Sequence, residues 1–517
     1  MTRAEILEHE ILNCKANGIT GKRTIAKLIC EKYPQEFPDI EQARGMVRVR
    51  TGAHGAQGST FEGIRSIFVA KVDDSYDKAL RHKLKKAGVY LITSAVNNTP
   101  INKTYWENLK AYASYLKAEI VVIAIRYKNP TSVFTDAKDD YWCDEVLPYL
   151  TATRHEIGDF SIMGDVKIQP TAENPLNGLE GMSGEKTCIV GHPRIHMKYL
   201  PVAKGSKPKM MLSTGSCTLP NYTDSKAGKK GEFHHTPGFS ILSITKDYSD
   251  VHYVSARSDG GFIDYNLEIS NNQVTFALPP QAIVFGDLHI AQMGVKSLQR
   301  IDKMINTFKP SQVVFHDVFD GKSINHHEAN DPIMQYKRLN LLLDDEIQQM
   351  VDLLDHYAVL AGKVVVVRSN HDEFIGKYIN GTDWKKDLKN APSYARLIYM
   401  AMTEQSQRSL MGQIIDKNCT NVIYLDNDES YTIDGIEVAH HGHQGANGSK
   451  GSPLSFRRLS TKLITGHSHT PSRTDGHLVV GCQDLYHGYN TGLSSWGMAD
   501  VFINADGKTQ HIFHENE

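Results

Sequence analysis

Short apolar runs that end in polar clusters recur in the second half of the chain. Residues 363–367 read KVVVV, and RSNHDEF follows directly at 368–374. A run of β-branched residues is typical of a strand buried on both faces. Ligands of open α/β sheets bind beyond the carboxyl ends of such strands. The polar cluster is therefore either part of a site or an ordinary turn, since Asn and Asp also favour turns.

The same pattern occurs five times after residue 280. The segments QAIVFGD, SQVVFHD, KVVVVRSNHD, IEVAHHGH and LITGHSH each lead from an apolar run into polar residues. Helical patterns such as VKSLQRIDKMINTF stand between them. Alternating strands and helices predict an α/β sandwich over residues 280–517.

The N-terminal segment has a different pattern. Residues 3–50 predict three short helices, the last of which follows Asp39 and contains Arg44, Arg48 and Arg50. Three helices with a basic third one are typical of a helix-turn-helix, so these arginines are candidate DNA-binding residues. The alternative is a small helical bundle with a solvated arginine face. We assign this head to residues 1–55, with a linker at 51–59.

Residues 60–278 predict an α/β domain whose role the sequence leaves open. VYLITSA at 89–95, a helical segment and EIVVIAI at 119–125 form a strand–helix–strand unit, long enough for a parallel crossover. Segments 191–199 and 226–235 mix histidines with basic residues. Scattered polar residues on the surface are the more frequent explanation of such segments, although they could contact phosphates. Residues 60–278 as a whole could bind a protein partner or a second copy of the chain.

Composition indicates which partners and which cellular compartment suit the protein. The chain has 517 residues, 22% charged and 40% hydrophobic, with a formal charge of −2. Residues 1–90 carry 16 basic and 11 acidic side chains, a difference of +5, which allows local binding to a polyanion. The seven cysteines are scattered without a CxxC pair, which favours a reducing cytoplasm. No apolar run approaches membrane-spanning length, so no membrane partner is expected.

The polar clusters share a chemistry. Fifteen of the 24 histidines lie in residues 280–517, and they alternate with Asp and Asn at the predicted strand ends. Carboxylate and amide oxygens with neutral imidazoles bind divalent first-row metals. Each cluster alone could be a turn or a capped loop, but five in succession after apolar strands predict a metal site at one sheet edge.

In these motifs the chain resembles the calcineurin-like metallophosphoesterases. Their pattern is DxH, GD, GNH(D/E), a strand-end His and GHxH, and the resemblance covers residues 282–505. It implies a β-sandwich flanked by helices and a centre of two divalent metal ions. The implied ligands are Asp287, His289 and His469 for one metal, Asn370, His441 and His467 for the other, and Asp317 as the bridge.

The resemblance also implies catalytic roles and a choice of metals. His371 would be the non-ligand histidine that protonates the leaving oxygen or steadies the transition state. Imidazole suits the first role because it exchanges protons near neutral pH. Asp372 either orients His371 or is a surface acid. Ligands of oxygen and nitrogen without thiolate favour Mn²⁺, with Fe, Zn or Mg as alternatives.

Three positions depart from the family pattern or leave it ambiguous. His316 and Ser369 stand where glycine usually precedes the bridging Asp and the Asn. The side chain of His316 either points away from the metals or adds a polar group beside their ligands. Of the pair His440 and His441, we choose His441 as the ligand because it directly precedes a glycine. His443 is then a residue beside the ligands or one that contacts the substrate.

The substrate follows from a weaker likeness. Segment 316–328, HDVFDGKSINHHE, is similar to the SbcD-type nuclease branch, and the head ARGMVRVRTGAHG is similar to phage DNA-degrading phosphoesterases. The protein-phosphatase motif GDxVDRG is not met. The leading hypothesis is a two-metal DNA nuclease, in the host cytoplasm if phage-encoded. The alternatives are a phosphatase or phosphodiesterase of small nucleotides, and a DNA-binding protein with an inactive metal centre.

Overall fold

The structure is a computed structural model. It describes residues 2–16, 22–51, 68–70, 87–127, 141–246, 248–403, 406–456, 458–459, 461–485 and 490–514. The linker predicted at 51–59 lies outside these residues, apart from Thr51. No helix within the described ranges is long and apolar enough to cross a membrane.

The head consists of three helices that lie where the pattern predicts them. They are α1 (Arg3–Ala16), α2 (Lys22–Lys32) and α3 (Ile40–Thr51). Asp39 begins α3, since its carboxylate accepts a hydrogen bond from Gln42 N at 2.6 Å. Ile25 and Val47 are fully buried and join the apolar side chains of α1 in a small core.

The middle of the chain contains most of the short strands. They are β1 (Phe68–Ala70), β2 (Gly88–Val96), β3 (Glu119–Ile125), β4 (Trp142–Cys143), β5 (Leu150–Thr151), β6 (Arg154–Ile157), β7 (Phe160–Met163), β8 (Thr187–Val190), β9 (Met197–Leu200), β10 (Lys209–Ser213), β11 (Gly238–Ile244), β12 (Ser249–Ser255), β13 (Phe262–Asp264), β14 (Leu267–Ser270) and β15 (Gln273–Phe276). The helices are α4 (Lys103–Leu116) and α5 (Lys226–Phe233).

The strand–helix–strand unit predicted in this region is present. Strands β2 and β3 pair in parallel, with α4 as their connection. They belong to a five-stranded sheet in the order β12-β11-β2-β3-β5. Asn102 begins α4 by accepting a hydrogen bond from Tyr105 N, and Trp106 and Leu109 bury the helix against the sheet.

The C-terminal part alternates strands and helices. Its strands are β16 (Ala282–Val284), β17 (Val313–His316), β18 (Val364–Val367), β19 (Val422–Leu425), β20 (Thr432–Ile433), β21 (Ile436–Glu437), β22 (Lys462–Thr465), β23 (Ser472–Thr474), β24 (His477–Val479), β25 (Ala499–Ile503) and β26 (Thr509–Phe513). Its helices are α6 (Val295–Phe308), α7 (Pro332–Lys337), α8 (Leu343–Ala361), α9 (Glu373–Gly381), α10 (Ala391–Thr403), α11 (Leu410–Asn418) and α12 (Pro453–Phe456).

Two sheets enclose the C-terminal core. A six-stranded sheet has the order β19-β18-β17-β16-β25-β26, and its first four strands are parallel. Alternate residues of β17 face opposite ways: Val313 and Phe315 pack against helices, and Val314 packs against the second sheet. Full burial of side chains of this size contributes roughly 1.5–3 kcal/mol each.

The second sheet joins the middle and C-terminal parts. Its ten strands have the order β20-β21-β22-β24-β23-β9-β10-β8-β7-β6. Strand β23 pairs with β9 through Ser472 opposite Lys198 and Arg473 opposite Met197. The sheet therefore continues across the boundary predicted near residue 279. The protein is a mixed α/β structure in which these two parts share one sheet.

Candidate metal centre

The polar clusters follow strands whose carboxyl ends reach one edge of the two sheets. Asp287 and His289 follow β16, Asp317 follows β17, and Asn370 and His371 follow β18. Because β16, β17 and β18 are parallel, their carboxyl ends lie side by side. From the ten-stranded sheet, β21 leads to His441 and β22 leads to His467 and His469. Strand order thus brings distant segments of sequence to a single place.

Four of the expected ligands form a tight buried group. Asp287, His289, Asp317 and His469 each offer an atom within 4.8 Å of the others, an arrangement that could hold a metal ion. His469 Nε2 lies 3.0 Å from Asp287 Oδ2 and 3.1 Å from His289 Nε2. His289 Nε2 lies 3.4 Å from Asp317 Oδ2.

A second group adjoins the first through the same two carboxylates. His441 Nε2 lies 3.6 Å from Asp317 Oδ2, and its Nδ1 lies 4.0 Å from Asp287 Oδ1. The ring of His467 lies 5.2 Å from that of His441 between centroids. His467 N donates to Asp287 Oδ2 at 2.8 Å. Of the ambiguous pair, His441 is thus the histidine that faces both carboxylates.

Several atoms of the centre are buried without a hydrogen-bond partner among the described residues. They are Oδ1 of Asp287, Asp317 and Asn370, and both ring nitrogens of His441. Buried polar atoms are almost always hydrogen-bonded, and every oxygen of this set is an acceptor. Carboxylate oxygens, an amide oxygen and imidazole nitrogens are ligands that divalent first-row metals accept. The residues therefore fit a metal centre.

The backbone is strained at four of the expected ligands. His289, Asp317, His467 and His469 have φ values of 51°, 50°, 70° and 54°. Residues other than glycine rarely adopt the left-handed region, and such residues cluster at functional sites. Each of them turns away from a strand within one to five residues of its end, and this turn directs its side chain into the centre.

Burial and mutual charge shift the protonation of the carboxylates and histidines. Burial, together with the charge of Asp317, raises the pKa of Asp287 to about 6. Burial opposes ionisation of Asp317 as well, but His371 and His289 outweigh it and lower that pKa. Burial likewise opposes the charge of His289, yet the carboxylates around it raise its pKa to about 9. Carboxylates that hold a proton on His289 would equally attract a divalent cation in its place.

Asp320 fixes His289 and was missed from the sequence. Its carboxylate lies 3.2 Å from His289 Nδ1 and accepts hydrogen bonds from Ala291 N and Gln292 Nε2. A carboxylate behind a ligating histidine sets the tautomer and directs the other nitrogen at the metal. A useful signal was available, since Asp320 stands three residues beyond Asp317 in HDVFD.

His371 is held by a backbone carbonyl. Its Nδ1 lies 2.9 Å from Asp320 O, so Nδ1 carries a proton and donates it. The ring stands 5.0 Å from that of His289 and stacks on Phe374. Nε2 is the nitrogen left to exchange a proton with a substrate.

Asp372 is buried, and its carboxylate bonds to groups other than the His371 ring. Its carboxylate accepts hydrogen bonds from Ser369 N at 2.9 Å and from Tyr424 Oη at 3.1 Å. Burial raises the pKa of Asp372 to about 7. Its contacts therefore close the turn at 369–372, and the carbonyl of Asp320 supplies the orienting contact expected of Asp372.

Ser369 explains one departure from the family pattern. Its Oγ accepts hydrogen bonds from His371 N at 3.1 Å and Asp372 N at 3.3 Å. After the charges of His371 and His289, the same hydroxyl also helps to lower the pKa of Asp317. A serine thus builds the tight turn beside Asp317.

Gly466 allows the segment GHSH to approach the centre. A Cβ atom at this position would lie 2.1 Å from Asp287 Oδ1. No side chain can be accommodated there unless the carboxylate moves.

Two residue pairs at the rim of the centre also escaped sequence reasoning. His443 Nε2 lies 3.3 Å from Glu373 Oε1, which lowers the pKa of Glu373 to about 2. The ring of Trp496 contacts that of His469 at 4.3 Å between centroids. Trp496 had no motif around it, so the sequence carried no signal for it.

The predicted DNA-binding arginines lie along α3, with Arg48 and Arg50 in its last turn. Arg44 pairs with Glu41 at 2.9 Å, and Arg48 forms an ion pair with Asp224 of the middle part. Arg50 is half-buried in the last turn. The structure does not bring these arginines to the metal centre.

Comparison with known proteins gives one relative to report. No family model matches the chain. Protein A1 of Escherichia phage T5 is 29% identical over 480 aligned residues, which cover 84% of this chain and 83% of the relative. This likeness extends well beyond the segment that holds the metal centre. A relative from a phage agrees with the phage resemblance of the head.

Proposed function

We propose that the protein is a two-metal phosphodiesterase of the calcineurin-like type and that its substrate is DNA. The observation that supports this most is the buried set of unpartnered acceptors around Asp287 and Asp317. Metal-dependent hydrolysis is the chemistry for which such a set is useful. The proposed cofactor is a pair of Mn²⁺ ions, with Fe, Zn or Mg as alternatives.

We assign the ligands to the two ions as the family pattern implies. One ion would be held by Asp287, His289 and His469, and the other by Asn370, His441 and His467. Asp317 would contact both ions. When bound, two such ions polarise the phosphoryl group and make water a better nucleophile. Asp320 keeps His289 in the tautomer whose Nε2 faces the centre.

His371 is the proposed general acid. Its Nδ1 proton is committed to Asp320 O, so Nε2 of the protonated ring is the atom that can deliver a proton to the leaving alkoxide. Phe374 stacks on the ring and limits its rotation. The proton donor is therefore positioned by Asp320 and Phe374, neither of which is an expected ligand.

Three observations support DNA as the substrate. The head is helical with a basic third helix, and phosphate contacts by arginine give affinity without sequence preference. Segment 316–328 is similar to the SbcD-type nuclease branch. The relative is a phage protein, and the head resembles phage DNA-degrading phosphoesterases.

A cleavage assay tests the proposal. Purified protein with Mn²⁺ is incubated with end-labelled linear duplex, single-stranded and circular DNA, and separately with a chromogenic phosphodiester. We expect cleavage of DNA, loss of cleavage on chelation, and weaker cleavage at high salt. Product lengths from the end-labelled strands then give the mode of action.

Matched variants exclude a contaminating nuclease. Asp317→Asn removes the shared charge and should abolish cleavage, whereas Asp302→Asn changes an exposed acid that pairs with His356 and should leave it intact. Cleavage of the small ester alone would favour the small-nucleotide alternative. Metal-loaded protein that cleaves neither substrate would favour a DNA-binding protein with an inactive centre.

A further inference from the structure

His316 ends β17 one residue before the bridging Asp317, where the family pattern has glycine. Its side chain is fully buried. Residues two apart on a strand share a face, so His316 lies on the side of Val314, between the two sheets. A polar ring there is directly beneath the metal centre.

The neighbours of His316 are ligand groups. Its ring centroid lies 5.6 Å from that of His441. A Cβ placed on Gly466 would lie 3.1 Å from both Cβ and Cγ of His316 and 2.1 Å from Asp287 Oδ1. The imidazole and the Asp287 carboxylate therefore flank the same point from two sides.

Both ring nitrogens of His316 are enclosed, and neither has a hydrogen-bond partner among the described residues. Two buried histidines farther from the centre do have a partner. His477 Nε2 lies 3.0 Å from Thr465 Oγ1, and His511 Nε2 lies 2.9 Å from Val479 O. The unmet ring of His316 and the unmet Oδ1 of Asp287 both adjoin Gly466. A neutral imidazole keeps a lone pair on one nitrogen, and in this closed space beside a carboxylate and His441 that lone pair is suited to a cation.

We propose that His316 is an additional ligand of the metal centre, on the side of His441, Asn370 and His467. The imidazole replaces a water molecule in that ion's coordination. An added nitrogen ligand favours Mn²⁺, Fe²⁺ or Zn²⁺ over Mg²⁺, which prefers oxygen. The inference rests on the metal centre of the proposed function and is independent of the substrate.

Metal titration of the full chain tests the role of His316. Protein stripped with a chelator is titrated with Mn²⁺ by calorimetry, for the wild type, His316→Gln and His316→Ala. His477→Gln is the matched control, because it changes another buried histidine whose Nε2 has its own partner in Thr465 Oγ1. We expect one of the two binding steps to weaken by tenfold or more in both His316 variants. The other step, and both steps in the control, should keep wild-type affinity.

Thermal unfolding distinguishes a role of His316 as a metal ligand from a role in packing alone. If His316 is a ligand, the rise in Tm that Mn²⁺ produces should shrink in the His316 variants, while the Tm of the metal-free protein changes little. A lower metal-free Tm with an unchanged rise would overturn the proposal, as would wild-type affinity at both steps. His316→Gly, the residue of the family pattern, carries the test if the larger substitutions do not fold.

The result is independent of the cleavage assay. Wild-type protein that binds two ions and leaves DNA intact would refute the proposed substrate and leave the ligation of His316 to be decided by titration alone.

Discussion

At the scale of single residues, the metal centre concentrates groups that protein interiors usually exclude. Asp287, Asp317 and three histidines are buried together, and atoms of Asp287, Asp317 and His441 have no hydrogen-bond partner among the described residues. Leaving such a group unsatisfied costs about 1–3 kcal/mol, and more for a charged one. Metal binding repays this cost, so the centre should be more stable with its ions than without them.

Replacement of His371 by Gln should separate chemistry from metal binding. Gln cannot deliver a proton as imidazole does, so the rate of phosphodiester cleavage should fall about 10²–10⁴-fold. Metal content should stay at the wild-type value, because His371 is not an expected ligand. Single-turnover cleavage and metal analysis of one preparation check both statements. His356→Gln, at an exposed histidine, is the control, and full activity of His371→Gln would remove that residue from the mechanism.

Replacement of Asp320 by Asn should weaken metal binding through His289. The amide keeps the shape of the carboxylate but removes the charge that orients the Nδ1 proton. Loss of such a contact typically costs 10–100-fold in metal affinity. Calorimetric titration with Mn²⁺ measures the change. Unaltered affinity would mean that Ala291 and Gln292, rather than His289, are the partners that matter to Asp320.

The residue types in the sequence predicted which side chains meet in the centre better than they predicted the contacts that hold those side chains. Asp287, His289, Asp317 and His469 meet in one group, as their positions at strand ends suggested. Asp320 escaped, although it stands close to Asp317, because its contact with His289 spans 31 residues of sequence. Trp496 escaped because no motif surrounds it. The orienting partner of His371 escaped for another reason, since a backbone carbonyl has no residue identity to read.

At the scale of elements, strand ends and tight turns place the expected ligands. Four of these residues turn out of their strands through left-handed backbone, and a hydrophobic pattern carries no sign of such turns. Glu346 of α8 adds a further restraint, since its carboxylate accepts hydrogen bonds from Lys322 N and Ser323 N just beyond the bridging Asp317. The loop after β17 is thus fixed from outside the centre.

Two glycine substitutions should have opposite effects. Gly466→Ala places a methyl group against Asp287 Oδ1, so it should displace the carboxylate and lower metal affinity at least tenfold, as estimated for disturbed metal surroundings. Gly376→Ala on α9 meets no atom within 4 Å and should stabilise the protein by about 0.5–1 kcal/mol through helix propensity. Chemical denaturation and metal titration of both variants measure these changes. Normal metal binding by Gly466→Ala would show that Asp287 can move without cost.

Strand and helix positions were largely predictable from periodicity. The valines at 364–367 form β18, and the segment 295–308 forms α6, because long apolar patterns specify elements directly. The joining of β9 to β23 was not predictable. Pairing between strands more than 270 residues apart depends on edges that hydrophobic patterns do not identify.

At the scale of the whole molecule, the middle and C-terminal parts behave as one structure. The ten-stranded sheet crosses between them, and polar contacts reinforce it. Asp264 of β13 accepts a hydrogen bond from Gln510 Nε2 of β26 at 2.7 Å. His252 Nε2 lies 3.0 Å from Asp264 and its Nδ1 lies 3.1 Å from Asp250.

The stability of this junction should depend on pH through His252. Burial opposes its charge, but Asp264 and Asp250 outweigh burial and raise its pKa from 6.5 to about 10. A raised pKa in the folded state contributes stability that is complete below about pH 6.5 and is lost as the pH rises toward 10. Urea unfolding at pH 6, 8 and 10 should show this decline in the wild type and a shallower one in His252→Gln. Parallel curves for the two proteins would contradict the assignment of the charge to His252.

The most direct test of the metal centre is Mn²⁺ uptake by the full chain. Metal-free protein is equilibrated with Mn²⁺, and bound metal per chain is measured by elemental analysis, for the wild type and Asp317→Ala. We expect two ions per wild-type chain, as a two-metal centre requires, and fewer in the variant that lacks the shared carboxylate. Folded wild-type protein that takes up no divalent ion would contradict the metal centre and the function proposed from it.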